Sequence, residues 1–392
     1  MKIKRILVFL VLINLVSGIY GLEYDDFFPE SMGLGGAYTS VMDSPASIFF
    51  NPASLYFYRG SVKPVYYVSI GYGKSGYENY NFLRYADEIS GIVQKPYGQW
   101  DDSDISNLIN SLQGASEEKP SANGGKGYSF LVARDGFAVY FLEHGYSDIV
   151  FDIDLERLSY SDQENPDSIL NNLTALEFHG LKLREYCISY ASALDDDLFI
   201  GTTLKFITAE SYFDELGLFD MNELQGRDIN HYVDSSFDFN RQTSNGYTFD
   251  LGIMMKLGPW GLLGFSAKNI KKIEIDGAFG KINIKPQYRV GFTFLLSQTS
   301  FITIDRDLTE NDTLVSQDQS QKLSIGLQKS FFENAFVLRA GARRDDKSRD
   351  SSWRYYFGAG LRIAEYLDFQ GAYHYASSDD SSAYNFGLNL IF

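Results

Sequence analysis

The stretch YNFGLNLIF, residues 384–392, decides how the rest of this chain is read. Tyr384, Phe386, Leu388, Leu390 and Phe392 share one parity; Asn385, Gly387 and Asn389 share the other. Successive side chains of an extended strand point to opposite faces, so one face here is aromatic and aliphatic and the other polar or small. The pattern recurs toward the N-terminus. Trp353, Tyr355, Phe357, Ala359, Leu361 and Ile363 alternate with Arg354, Tyr356, Gly358, Gly360 and Arg362. The same alternation runs through 336–343, 323–328, 288–294 and 66–72.

Two architectures produce such a pattern. A soluble sandwich hides its apolar faces between sheets, whereas a transmembrane barrel turns them to lipid and keeps a polar lumen. Segments of about ten residues with aromatic ends favour the barrel. The chain has 392 residues, with 31 Phe and 28 Tyr, yet no apolar run after residue 21 is long enough for a membrane helix, so its apolar residues are dispersed as strands require. Lys2, Lys4 and Arg5, the apolar run 6–16 and the small polar residues 17–21 read as a secretory signal peptide. A net charge of −17 argues against nucleic acid as a partner. The single Cys187 excludes an internal disulfide framework, and the four His offer no zinc-ligand spacing, so neither metal nor cofactor is expected.

The fold class expected is all-β: a 14-stranded antiparallel transmembrane β-barrel in the bacterial outer membrane, its wall against outer-membrane lipid. The count depends on one decision. Tyr128–Arg134 and Phe137–Leu142 are split by Asp135-Gly136, which reads either as a hairpin turn or as a bulge that switches facing parity within one strand. The parity does switch, and taking a bulge gives fourteen strands rather than fifteen. Short connections then fall on the periplasmic side: Gly145-Tyr146, Leu194–Asp196, Gly258-Pro259, Ser297-Gln298, Phe332–Asn334 and Glu365. The longer ones, above all 74–127 and 211–245, fall outside, as barrels prefer.

The division expected is a signal peptide at 1–21, an N-terminal plug at 22–61 and the barrel at 62–392. A fourteen-stranded lumen is too wide for its wall side chains to fill. The segment 33–55 is small and turn-rich enough to fold inward, with Gly33, Gly35 and Gly36 allowing close backbone approach and Asn51, Pro52 and Ala53 making a turn before the first strand. Gly33–Thr39, Asp43–Ser47 and Asn51–Ala53 resemble the N-terminal hatch of FadL-like long-chain fatty-acid transport barrels and of their PorV/PorQ-type secretion-associated relatives. Phe50 stands where that hatch usually has Trp or Tyr. Lys285–Gly291 and Ile304–Asn311 resemble the TraF-like outer-membrane proteins of plasmid transfer. The resemblance implies fourteen strands and a luminal hatch.

The candidate functional residues fall into two sets. Leu108, Ile109 and Leu112 have amphipathic-helix spacing, and Leu218 and Phe219 belong to a second apolar cluster in an outer loop. These form an apolar outer site, or simply pack on one another to cap the barrel. Arg289, Arg339, Arg343 and Arg354 share the inward parity with Asp250, Asp305 and Asp307. They form a ladder of ion pairs, or one of them holds a ligand carboxylate. No nucleophile motif or catalytic triad emerges; His374 reads as a polar wall residue and His144 as a residue near a strand end, so no enzyme is expected. Two functions stay open: passive transport or binding of hydrophobic compounds such as long-chain fatty acids, and a non-transporting partner of a secretion, surface-display or conjugal-transfer machinery.

Overall fold

The computed structural model describes residues 27–42, 44–58, 64–74, 77–93, 95, 99–118, 121–157, 172–217, 241–278, 280–312, 319–347, 352–363, 367–375 and 382–391. The signal-like segment 1–21, together with Leu218 and Phe219, lies outside them. The chain first makes two short helices, α1 (Pro29–Gly33) and α2 (Ser47–Phe50), then a 3-10 turn at Pro52–Tyr58. The wall follows as β1 (Val65–Lys74), β2 (Ser121–Arg134), β3 (Phe137–Asp152), β4 (Ala175–Ala193) and β5 (Leu198–Gly217). It continues as β6 (Gln242–Lys256), β7 (Gly261–Lys268), β8 (Gln287–Ser297), β9 (Ser300–Asp307) and β10 (Lys322–Phe331). It ends as β11 (Phe336–Asp345), β12 (Trp353–Ile363), β13 (Leu367–Tyr375) and β14 (Ser382–Ile391). Each strand pairs with its chain neighbours, and β14 pairs antiparallel with β1 to close the ring.

The count of fourteen is right, but two readings behind it are corrected. Asp135-Gly136 is not a bulge: it is the two-residue turn between β2 and β3, with Arg134 paired to Phe137 and φ of 54° and 79° at the two turn residues. Positive φ at both central positions is what a tight hairpin turn demands. A two-residue loop between directly paired residues switches the parity of the outward set, as a bulge does, so the parity change cannot tell the two apart. Gly145-Tyr146 is not a turn. Gly145 sits within β3, between Lys126 on β2 and Lys182 on β4. One fused hairpin and one false turn cancel. His144, placed near a strand end by the same misreading, is buried in the middle of β3.

The wall's outer face carries the apolar parity. Phe130, Val139, Ile188, Leu204, Leu251, Phe357 and Phe386 are exposed on it, while the inward parity buries Ser129, Thr203, Asp250, Thr303, Ser324 and Asn385. The strands differ in length. β3, β4 and β5 have 16, 19 and 20 residues, against 8 in β7 and β9. About ten residues cross the hydrocarbon core, so these three strands stand proud of it. The chemistry marks the exit. After Phe137, Val139 and Phe141 the next outward residue of β3 is Glu143, which accepts from Arg184 Nε at 2.7 Å; Arg184 Nη1 bonds Glu210 Oε1 at 2.6 Å.

Two helices fill most of the first outer loop, α3 (Tyr77–Val93) and α4 (Asp102–Glu118). Asp101 starts α4 by accepting from Asp104 N at 2.9 Å. The Ser103 hydroxyl, followed by that amide, holds the Asp101 carboxyl below its ordinary range. Tyr85 and Ile89 of α3 and Leu108, Ile109 and Leu112 of α4 form one cluster with Ile149, Leu176, Phe178 and Leu216. Those four wall residues share the parity of outward-facing neighbours on β3, β4 and β5, so the helix pair clamps the outside of the raised rim.

Candidate functional site

The site is the lumen and the two segments that occupy it. From Phe27 to Tyr58 the N-terminal segment touches wall strands around the whole ring while nearly all of it is buried. A buried segment in contact with every side of a closed barrel lies within it. The sequence accounts for the fit. Gly33 lies against Gly358 of β12, Leu34 against Gly326 of β10, Thr39 against Gly264 of β7, and Pro52 against Gly201 of β5. A Cβ at any of these wall glycines would overlap the segment, so the wall is small where backbone must approach. Gly35 and Gly36 have φ of 66° and 90°, and a side chain on Gly35 would meet the Ala342 backbone at 3.0 Å.

Directional bonds fix the segment further. Asp305 Oδ2 of β9 accepts from the backbone N–H of Tyr38 at 2.8 Å and of Thr39 at 2.7 Å. Asn51 donates from Nδ2 to Thr39 O at 2.9 Å and to Ile253 O at 3.2 Å, and its Oδ1 accepts from Ala53 N at 3.1 Å. Glu30 accepts from Ser44 Oγ and from Tyr67 OH, both at 2.9 Å. Ser266 Oγ donates to Phe50 O at 2.6 Å. The two stretches singled out in the sequence for separate resemblances thus meet at Asp305 and Tyr38-Thr39.

The second segment is the connection between β7 and β8, one of the longer connections that the strand count places outside. Between β7 and β8 a hairpin forms from Ile273–Gly277 and Gly280–Ile284. Its Ile273, Ile275, Ile282 and Ile284 pack on Leu181 and Leu183 of β4 and Ile207 and Ala209 of β5. Those wall residues have the inward parity, so the hairpin folds into the lumen. It is tied at its base, where Thr248 Oγ1 donates to Lys271 O at 2.8 Å, and at its tip, where Ala278 N donates to Ser211 Oγ at 2.8 Å. A sequence signal was present: isoleucines alternate with polar residues on both sides of a Gly-containing turn.

The four arginines do not converge. Arg289 bonds Asp307 at 2.5 Å, and Arg339 donates to the side-chain oxygens of Gln328 at 2.7 Å and Gln370 at 2.6 Å. Arg343 lies 4.8 Å from the centre of the Tyr356 ring and faces Arg354 in register across β11 and β12. Of these four, Arg339 lines a cavity of about 300 Å³ between Val41-Met42 of the N-terminal segment and the turn ends of β8–β13. Elsewhere Lys205 pairs with Asp250 at 2.8 Å and Glu185 at 3.4 Å, wholly buried. His374 stacks on Tyr356 at 4.5 Å, and Cys187 is buried in the wall. Leu108, Ile109 and Leu112 belong to the packed cluster outside the rim.

A closed fourteen-stranded antiparallel wall whose outer face is apolar and whose inner face buries hydroxyls, amides and charges is the architecture of an outer-membrane β-barrel. The chain resembles the Ralstonia pickettii toluene transporter TbuX, with TM-score 0.51 and 11% identity over 94% of this chain and 98% of that one. A Pseudomonas aeruginosa FadL homologue aligns with TM-score 0.51 and 12% identity over 95% and 99%. A deltaS2S3 mutant of the TodX monoaromatic hydrocarbon channel gives 0.51 and 11% over 93% and 98%. At these identities the likeness speaks for the fold. No curated protein matches the sequence. The family model described as "F plasmid transfer operon, TraF, protein" matches residues 48–318, and the chain belongs to that family.

Proposed function

We propose that this outer-membrane barrel binds hydrophobic compounds, such as long-chain fatty acids, and passes them inward passively and without catalysis. The observation that carries this reading is the aliphatic strip of Leu181, Leu183, Ile207 and Ala209 on the inner wall of β4 and β5, a cluster separate from the apolar wall residues such as Leu131, Tyr140 and Leu142 that pack on the N-terminal segment. Water-filled pores have no use for such a strip, whereas a greasy ligand gains free energy from it, about 25 cal/mol for each Å² of apolar surface removed from water. The fold shared with a toluene transporter and a monoaromatic hydrocarbon channel supports the same class of cargo. In this reading Gly33, Gly35, Gly36, Asn51, Pro52 and Ala53 belong to a plug that must shift for passage. The test is uptake of radiolabelled oleate by cells lacking their own fatty-acid channel and expressing this chain. Uptake above the empty-vector level is expected; none, with the protein present in the outer membrane, contradicts the proposal.

Family membership favours a second reading, a non-transporting partner of a transfer machinery. It predicts that deleting the gene lowers transfer frequency while leaving oleate uptake unchanged.

A further inference from the structure

We infer that the Ile273–Ile284 hairpin is an internal gate that occupies, with its own isoleucines, a binding strip for an aliphatic chain on the inner wall of β4 and β5. The inference rests on the proposed passage of hydrophobic compounds and adds where the cargo first binds inside and what it must displace.

The strip and the hairpin face are both aliphatic. Leu181, Leu183, Ile207 and Ala209 are each no more than 3% exposed, and what covers them is Ile273, Ile275, Ile282 and Ile284. No charge or hydrogen bond joins those eight side chains, so their contact is non-directional and any saturated chain of similar girth can replace it. The ties at Lys271 and Ala278, and those of the Gln242 amide to the Asp276 and Gly277 carbonyls at 3.2 Å, are neutral hydrogen bonds of small net worth. The position also suits a gate. β4 and β5 rise above the hydrocarbon core, and Leu181 and Leu183 stand opposite Tyr146 and His144, beyond the outward Phe141 of β3. An arriving chain therefore meets the strip at the level of Phe27, which packs beside His144 and Tyr146, and before the rest of the N-terminal segment. Tyr146 packs against the hairpin cluster and also lies 5.6 Å from the Phe27 ring of that segment, so the strip ends where the deeper filler begins.

The geometry offers a lock. A Cβ placed on Gly246 of β6 falls 2.6 Å from Cγ2 of Ile273, so a Gly246→Cys, Ile273→Cys pair comes within the reach of a disulfide. In a Cys187→Ser background the full chain carries no other thiol. Outer membranes holding this variant are exposed to a diazirine-bearing dodecanoate, irradiated, and the modified residues located by mass spectrometry. Bilayer-facing Tyr186 and Ile188 serve as the reference for probe dissolved in lipid. The reduced protein is expected to be modified at Leu181, Leu183 or Ile207. Oxidation should lower that modification about tenfold or more, because the binding-competent fraction falls, and reduction should restore it. A second variant with residues 273–284 replaced by a short Gly-Ser linker should be modified most strongly. Modification of the strip that ignores the lock overturns the gate, and a linker variant left unmodified at the strip overturns the site. Oleate uptake, measured in parallel, reports on the transport reading separately: strip labelling that obeys the lock without uptake upholds the gate and site and refutes the passage.

Discussion

The lumen holds two fillers built on opposite principles. The N-terminal segment is held by directional bonds and by backbone pressed against wall glycines: Asp305 on two amides, Asn51 on two carbonyls, Gly33 on Gly358. The hairpin is held mainly by eight aliphatic side chains. The first kind of contact recognises one partner and one geometry. The second recognises only apolar surface, so it can be traded for another apolar body at little cost. The first also reaches the whole ring, whereas the second packs on one side of it, against β4, β5 and β6 with Tyr146 of β3 at its margin. That difference is what the proposed plug and the proposed exchangeable cover rest on.

The largest expected effect breaks the seal. Asp305→Ala removes a buried carboxylate from two amides and should loosen the segment by about 3 kcal/mol, two charge-assisted bonds being involved. Protease cleavage within 27–58 should then speed up while the barrel keeps its heat-modifiable migration on gels. Next, Ile275→Ala should loosen the hairpin by about 2 kcal/mol through lost packing, read as faster hydrogen exchange confined to 273–284. The conservative pair sharpens the comparison: Asp305→Asn should cost about 1 kcal/mol, since charge assistance is lost while an oxygen remains, whereas Ile275→Leu should cost less. The smallest effect belongs to Lys272→Ala. The Lys272 ammonium bonds Glu274 at 2.7 Å and holds that carboxyl below its ordinary range, but the pair is half exposed, and thermal stability should not move measurably.

Much of the wall was legible because lipid on one side and a polar lumen on the other impose a strict period of two. It became illegible where that contrast ends. Beyond Phe141 the outward face of β3 is no longer in hydrocarbon, so apolar alternation stops although the strand continues to Asp152, and Gly145-Tyr146 looked like a turn. Asp135-Gly136 failed for a different reason, since a bulge and a two-residue hairpin leave the same parity signature. The glycines of 33–36 announced close packing, but Gly358, Gly326 and Gly341, which receive Gly33, Leu34 and Gly35, lie about 300 residues away, and nothing local in a sequence links them. The inward hairpin carried its own alternation; what a sequence does not say is which side of the wall a loop folds to. Arg289 and Asp307 were correctly placed on the inward parity, and their pairing follows from the register of β8 against β9.

Single-channel conductance in planar bilayers tests the central claim most directly. Full-length protein, a variant lacking residues 27–58 and the linker variant lacking the hairpin are compared at equal insertion. Removing the N-terminal segment should raise the conductance severalfold, because a fourteen-stranded wall cannot fill its own lumen. Removing the hairpin alone should leave conductance near the full-length level, because the segment still touches the whole ring. Equal conductance with and without residues 27–58 would contradict the account.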